Sequence, residues 1–403
     1  MKRAYERFLD YVSYPTASSE LSETCPSTDC QWALANHLAD ELREMGAQDV
    51  TVDENGYVFA AVPATAEGRP VVGFIAHMDT VDCVKATDIR PRLIENYDGG
   101  DITLENGDVV GPAQYPGLSA HAGKTLIVTG GDTLLGADDK AGIAEIMVAA
   151  EKLLQPDAPA HGKIMIGFTP DEEIGRGADL FDVARFGADY AYTVDGGPLG
   201  DINYETFNAA RGLIEFHGVS THPGSGKNTM VNAALVAMEF ARLLPDSQTP
   251  AATDGYDGFY HLCEMKGEVE HAVLDYIIRD HDKAAFEAKK AYFLKAAELI
   301  RARYGETSVT VSVKDSYYNM AEILKDKPEI LDVARAAFRA CGIEPSCSPV
   351  RGGTDGSRLS FMGLPCPNLS TAGMNCHGRH EMAPVEDMDA MADVLVRIAE
   401  LAK

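Results

Sequence analysis

Positive charge is scarce in this 403-residue chain: 35 Lys and Arg stand against 62 Asp and Glu, a formal net charge of −27. With no basic stripe to displace counterions from phosphates, sequence-independent nucleic-acid binding is excluded. Long apolar runs are missing too, and none approaches the roughly 18 residues of a membrane span. The N-terminal Met1-Lys2-Arg3-Ala4-Tyr5-Glu6 leads into an amphipathic helix with no apolar signal core. The eight cysteines, Cys25, Cys30, Cys83, Cys263, Cys341, Cys347, Cys366 and Cys376, include no CxxC pair. That argues against a thiolate zinc site and for reduced thiols in a cytoplasmic protein. Internal repeats and low-complexity segments are also absent.

What is present is an ordinary soluble composition, 45% hydrophobic and 24% charged. The length exceeds what one core comfortably fills, so two compact units are expected. Over the first two thirds, helix and strand alternate. A helix is predicted at 27–45, ended by Gly46, and Asn55-Gly56 reads as a hairpin turn between strands at 50–52 and 58–62. Further strands are predicted at 71–76, 125–129, 163–168 and 190–194, with an amphipathic helix at 139–154. Near-continuous apolar strands alternating with helices imply an α/β fold whose mostly parallel sheet is covered by helices.

Between 208 and 317 the rhythm changes. Strand 213–219, helix 230–244, strands 263–269 and 272–279, helix 282–304 and strand 307–313 follow a β-α-β-β-α-β plan. Helix 329–341 and the apolar run 359–364 then resume the earlier style. The expectation is a catalytic domain of 1–207 and 318–403, interrupted by a smaller lid or dimerisation domain of 208–317.

The chemistry concentrates where strands end. The run 164–168 leads into Thr169-Pro170-Asp171-Glu172-Glu173-Ile174-Gly175, in which one glutamate can bind a cation while its neighbour transfers a proton. Similar endings carry His77-Met78-Asp79, Asp138-Asp139-Lys140, Asp195-Gly196-Gly197 and His377-Gly378-Arg379-His380-Glu381. In open parallel sheets, sites form beyond the carboxyl ends of strands, so these segments can converge. Spacing alone does not separate Asp138 from Asp139, which could cap the following helix, nor His377 from His380. Charge favours two metals: Asp138, Glu173 and Asp195 supply three negative charges, and His77 and His377 supply neutral nitrogens. Two divalent cations and a hydroxide balance that set. Ligands without thiolates suit zinc, with manganese or cobalt as alternatives. A bridging carboxylate holds such ions about 3.5–4 Å apart.

In order along the chain, GFIAHMDT, TLLGADDKAGIAEIM, GFTPDEEIGRGA, AYTVDGG, MVNA, GFYHL, YIIRD, DSYYNM, RGGTDG and FMGLPCPN resemble the co-catalytic zinc exopeptidases. That family includes carboxypeptidase G and succinyl-diaminopimelate desuccinylase. The likeness is to its tripeptide-aminopeptidase branch and runs from ERFLDYVS to VRIAEL, essentially the whole chain. The resemblance implies two zinc ions per subunit: Asp138 bridges them, His77 and Asp195 complete one site, and Glu173 and His377 complete the other. It implies Glu172 as general base toward a metal-bridged hydroxide, Asp79 orienting His77, and a cis peptide after Asp138. His222, in Thr221-His222-Pro223-Gly224, occupies a position that reaches the substrate carbonyl in related enzymes. Arg279 and Arg351 either clamp a peptide carboxylate or pair internally with Asp280 and Asp355.

These readings point to a cytoplasmic metallo-aminopeptidase acting on tripeptides, without nucleic-acid or membrane partners, and with the lid as the place where a homodimer would form. A dipeptidase or N-acyl amino-acid deacylase with the same metal centre is the alternative. A non-catalytic peptide-binding relative is the remaining one.

Overall fold

Strands Val72–His77 and Ile164–Thr169 are buried at every position, as expected of strands covered on both faces. In the computed structural model, which describes residues 1–403, they lie side by side in a seven-stranded sheet. The order across it is Gln48–Val52, Val58–Val62, Ile164–Thr169, Val72–His77, Tyr190–Gly196, Asn368–Ser370 and Ile202–Asn203. The four strands from Ile164–Thr169 to Asn368–Ser370 are parallel, while both edges are finished by antiparallel strands. One edge is the predicted hairpin turning at Asn55-Gly56, with Gly56 at φ +83°. Parallel strands all end on one side of the sheet, so His77, Thr169 and the Asp195 turn emerge together.

The strand predicted at 125–129 forms as Leu126–Val128 but belongs elsewhere. It pairs with Arg92–Ile94 and Met382–Pro384 in a separate three-stranded antiparallel sheet. Its short, fully buried apolar run looks like those of the main sheet, so periodicity could not assign it. Tyr97, Ile102, Leu104, Val110, Leu118 and Met382 form the core beneath it. The predicted helix at 27–45 begins at Gln31, because Ser27 and Gln31 are drawn into hydrogen bonds with Asp171.

Helix Ala137–Leu153 packs between the main sheet and helices Ala4–Tyr11 and Val385–Leu401. Glu145, on this helix, is fully buried, and neither carboxyl oxygen has a hydrogen-bond partner. Burial pushes its carboxyl well above the usual range, and Asp387 and Asp389 add repulsion. A carboxyl neutral when folded and ionised when unfolded binds more protons in the folded state. Its cost to stability therefore grows as pH rises through the ordinary glutamate range toward the raised folded value. Glu145→Met is expected to stabilise the protein by about 1–3 kcal/mol at pH 8, the cost of an unsatisfied buried group. The gain should be smaller at pH 4. Urea unfolding at both pH values measures it, and an unchanged or lower stability at pH 8 would contradict the assignment.

The second compact unit comprises Glu205–Ala321 with Pro349–Gly353. Its antiparallel sheet runs Phe259–Gly267, His271–Asp280, Asn208–His217 and Val309–Tyr317. Burial alternates along His271–Asp280, the period-two signature of a sheet with one solvated face. Helices Ala233–Ala241 and Lys283–Tyr304 supply Phe240, Phe286 and Phe293 to a core shared with Phe216, Leu274 and Tyr276. The first of these helices is shorter than the predicted 230–244, because Asn232 caps it by accepting from the Leu235 N–H. Leu235 and Met238 remain exposed on it. The expected boundaries 208–317 omit Pro349–Gly353, whose Val350 bridges Thr206; an isolated bridge leaves no sequence period to detect.

Candidate metal centre

His77 ends its strand almost fully buried, at 2% exposure. Its Nδ1 lies 3.0 Å from the backbone carbonyl of Asp79, so Nδ1–H donates there and Nε2 is the nitrogen turned toward the acidic groups. That Nε2 is 2.9 Å from Asp138 Oδ1 and 3.7 Å from Asp195 Oδ1. The Asp79 carboxylate is 3.4 Å from Nδ1 and has a second task that its spacing did not reveal. It accepts the backbone N–H of Glu172 at 2.9 Å and of Glu173 at 3.1 Å. One buried carboxylate thus fixes the turn that presents both glutamates.

That turn is held from the other side by Asp171, which adopts the left-handed conformation at φ +61°. Its carboxylate accepts from Ser27 N–H, Ser27 Oγ–H and Gln31 Nε2–H. Glu173 Oε2 then stands 3.0 Å from His377 Nε2, and its Oε1 is buried with no protein partner. Glu172 points differently: its carboxylate groups with His77 and Asp195.

Asp138 faces both imidazoles, with Oδ1 toward His77 and Oδ2 3.0 Å from His377 Nε2. The Asp138–Asp139 peptide is cis. Asp139 is turned away and accepts the backbone N–H of His77 at 3.1 Å. His380 is also turned away. Its Nδ1 is 3.0 Å from the Tyr115 hydroxyl and its Nε2 is 3.3 Å from Asp108, so it holds the loop while His377 reaches the centre. Sequence reasoning used Glu381 only as a landmark, yet it is 2% exposed and accepts three backbone N–H groups from the Asp138 turn.

The electrostatics favour binding of positive charge. Burial alone would raise the Asp138 carboxyl, but His377 and His77 together hold it well below the usual range. Facing Asp138 and Glu173 raises His377 to about 11. Burial raises Glu173 to about 7, and it raises Glu172 well above the ordinary glutamate range with help from Asp195. Donor atoms of His77, Asp138 and Glu173 lie within 4.8 Å of one another, as do those of His77, Glu172 and Asp195. Nitrogen and carboxylate donors gathered so closely, one of them a buried oxygen with no partner, fit divalent cations.

The three expected substrate contacts all fall in the second unit. His222 is exposed, and its Nδ1 accepts the Gly224 N–H at 3.1 Å. The Arg351 guanidinium is occupied: it donates to the carbonyls of Gly255 and Asp257 and to Thr253 Oγ1, each at 2.9 Å, and lies over Phe207 and Phe259. Arg279 donates from Nη1 to the Arg351 carbonyl, while its buried Nε has no partner. Asp280 pairs with Lys289 at 3.0 Å and not with Arg279.

Residues 131–401 match the model of peptidase family M20/M25/M40. The Peptidase T of Halothermothrix orenii is 50% identical over 404 residues, covering 100% of this chain and 99% of that protein. The Peptidase T of Bacillus velezensis is 51% identical over 399 residues, 98% of this chain and 97% of its own. Among solved structures, an aminopeptidase from Bacillus cereus ATCC 10987 superposes with a TM-score of 0.78 at 24% identity, covering 99% of this chain and 98% of its own. A dinuclear metal binding peptidase from Bacillus subtilis gives 0.67 at 16% identity, covering 98% and 96%. With a family match over 131–401 and half its residues shared with full-length relatives, this chain belongs to peptidase family M20/M25/M40.

Proposed function

We propose that the protein is a dinuclear zinc aminopeptidase that releases the N-terminal residue from tripeptides. The observation that carries this reading is the convergence of His77, Asp138, Glu173, Asp195 and His377 beside a separately directed Glu172, in a chain half identical to proteins named Peptidase T. The five residues would hold two cations. Zinc suits the donors, and manganese or cobalt also match nitrogen and carboxylate ligands. When bound, such ions polarise the scissile carbonyl and acidify a water beside it.

The chain's own residues do the rest. Glu172 takes the proton of the attacking water at its carboxylate and returns it to the leaving amine. Burial raises its proton affinity, which suits a group that must both accept and donate near neutral pH. Asp79 aims that carboxylate by holding the Glu172 and Glu173 amides. In the second unit, Arg279, whose guanidinium donates from Nη1 to the Arg351 carbonyl, is the candidate clamp for a peptide carboxylate. His222 is the candidate donor for the developing oxyanion.

The substrate class is tested with Ala-Ala-Ala, Ala-Ala and N-acetyl-Ala on enzyme reconstituted with zinc, manganese or cobalt. The tripeptide is expected to exceed the others in kcat/KM by about tenfold or more. Preference for N-acetyl-Ala would make the enzyme a deacylase, and preference for Ala-Ala a dipeptidase. Turnover of none of the three by protein loaded with two ions would point to a non-catalytic relative.

A further inference from the structure

One buried carboxyl beside the ligands has no part in the proposed chemistry. Glu381 lies four residues after His377. Its Oε2 accepts the N–H of Leu135 at 2.7 Å and of Gly136 at 2.8 Å, and its Oε1 accepts that of Asp138 at 3.0 Å. These amides belong to the turn that opens helix Ala137–Leu153, where Gly136 sits at φ +82° and exposed N–H groups attract negative charge. The carboxylate therefore grips the backbone on either side of Ala137, directly at the residue that faces both imidazoles.

The same residue closes the loop that carries His377. Glu381 N–H donates to the Gly378 carbonyl at 3.2 Å, and Asn375 Nδ2 donates to the His380 carbonyl at 3.1 Å. Ala372, Asn375 and His377 have φ of +63°, +57° and +60°. Non-glycine residues hold such conformations only where their surroundings over-determine them. Just beyond Glu381, Met382–Pro384 is locked into the three-stranded sheet through Leu126–Val128. The loop is thus fixed at its C-terminal end, and Glu381 is the point at which that fixed end meets the Asp138 turn.

We propose that Glu381 is a positioning residue: by tying the Asp138 turn to the His377 loop, its carboxylate sets the spacing between two metal ligands that lie 239 residues apart in sequence. The inference rests on the dinuclear reading of the site. Metal sites tolerate displacements of only about 0.2 Å in ligand distance, so slack in this tie weakens binding before it unfolds the chain. Because Asp138 faces both imidazoles, the loss should reach both ions. Removal of His377 itself should release mainly one.

The test compares wild type, Glu381→Gln, Glu381→Asp and His377→Ala as apoproteins. Each is titrated with Zn²⁺ against a competing chelator and with Co²⁺ followed by its visible bands; thermal melting of each apoprotein is the fold control. Glu381→Gln turns an acceptor oxygen into an amide donor facing backbone N–H groups. It is expected to bind both ions about 10–100-fold more weakly, as outer-shell partners of metal ligands do when replaced. Its Co²⁺ bands should shift, and its apo melting curve should stay cooperative. Glu381→Asp keeps the charge but shortens the reach, and should show a smaller loss of the same kind. A folded Gln or Asp variant with wild-type affinity for both ions and unchanged Co²⁺ bands overturns the proposal, whatever its melting temperature. Failure of the dinuclear reading would appear instead in the wild-type arm, as uptake of fewer than two ions.

Discussion

Glu172→Ala should bind two divalent cations as tightly as the wild type and lose at least 10²–10⁴-fold in kcat, the range that general acid–base groups supply. The expectation comes from the way two adjacent glutamates are separated by their turn. Glu173 is directed at His377, 3.0 Å away, and keeps a buried oxygen without a partner, as a metal ligand requires. Glu172 instead shares its surroundings with His77 and Asp195, and burial keeps its carboxyl prone to protonation. Backbone contacts to Asp79 fix the turn and do not depend on the Glu172 side chain, so the substitution should leave the ligands in place. Glu173→Ala is the control, since it should lose one ion as well as turnover. If the two variants behaved the other way round, base and ligand would have to be exchanged.

Asp138→Asn should empty the site. One carboxylate faces two imidazoles at 2.9 and 3.0 Å, so removing its charge weakens both halves of the centre together. Metal analysis after gel filtration is expected to fall from two ions per chain to less than one, and activity at ordinary metal concentrations should be abolished. Asp139→Asn is the informative neighbour. Asp139 accepts the His77 N–H and does not face the centre, so that variant should retain substantial metal. Retention of two ions by Asp138→Asn would remove it as the shared ligand.

What the sequence made legible, and what it did not, follows from how far each signal travels along the chain. Val72–His77 and Ile164–Thr169 could be read as sheet strands because apolar residues and a single glycine run unbroken up to His77 and Thr169, where polar residues begin. The order of strands and helices over 208–317 was legible because that alternation is local. Leu126–Val128 was not assigned to its own sheet, because three buried apolar residues look alike in any sheet. Choosing His377 over His380 needed the resemblance; the geometry that separates them is a loop whose residues take positive φ values. The hold that Asp79 and Glu381 have on backbone amides was invisible for a different reason. Both act on backbone amides 93 to 94 and 243 to 246 residues away, and an amide has no identity in sequence. Arg351 and Arg279 looked equivalent until the carbonyls of Gly255 and Asp257 were seen to occupy the first, while the second donates from Nη1 to the Arg351 carbonyl.

The measurement that bears most directly on the metal centre is anomalous scattering from crystals of the protein grown with zinc. Two peaks are expected, with Asp138 touching both, His77 and Asp195 completing the coordination of one, Glu173 and His377 that of the other, and Glu172 outside both coordination spheres. A single peak, or a peak coordinated by Glu172 in place of Glu173, would contradict the assignment of one glutamate as ligand and its neighbour as base.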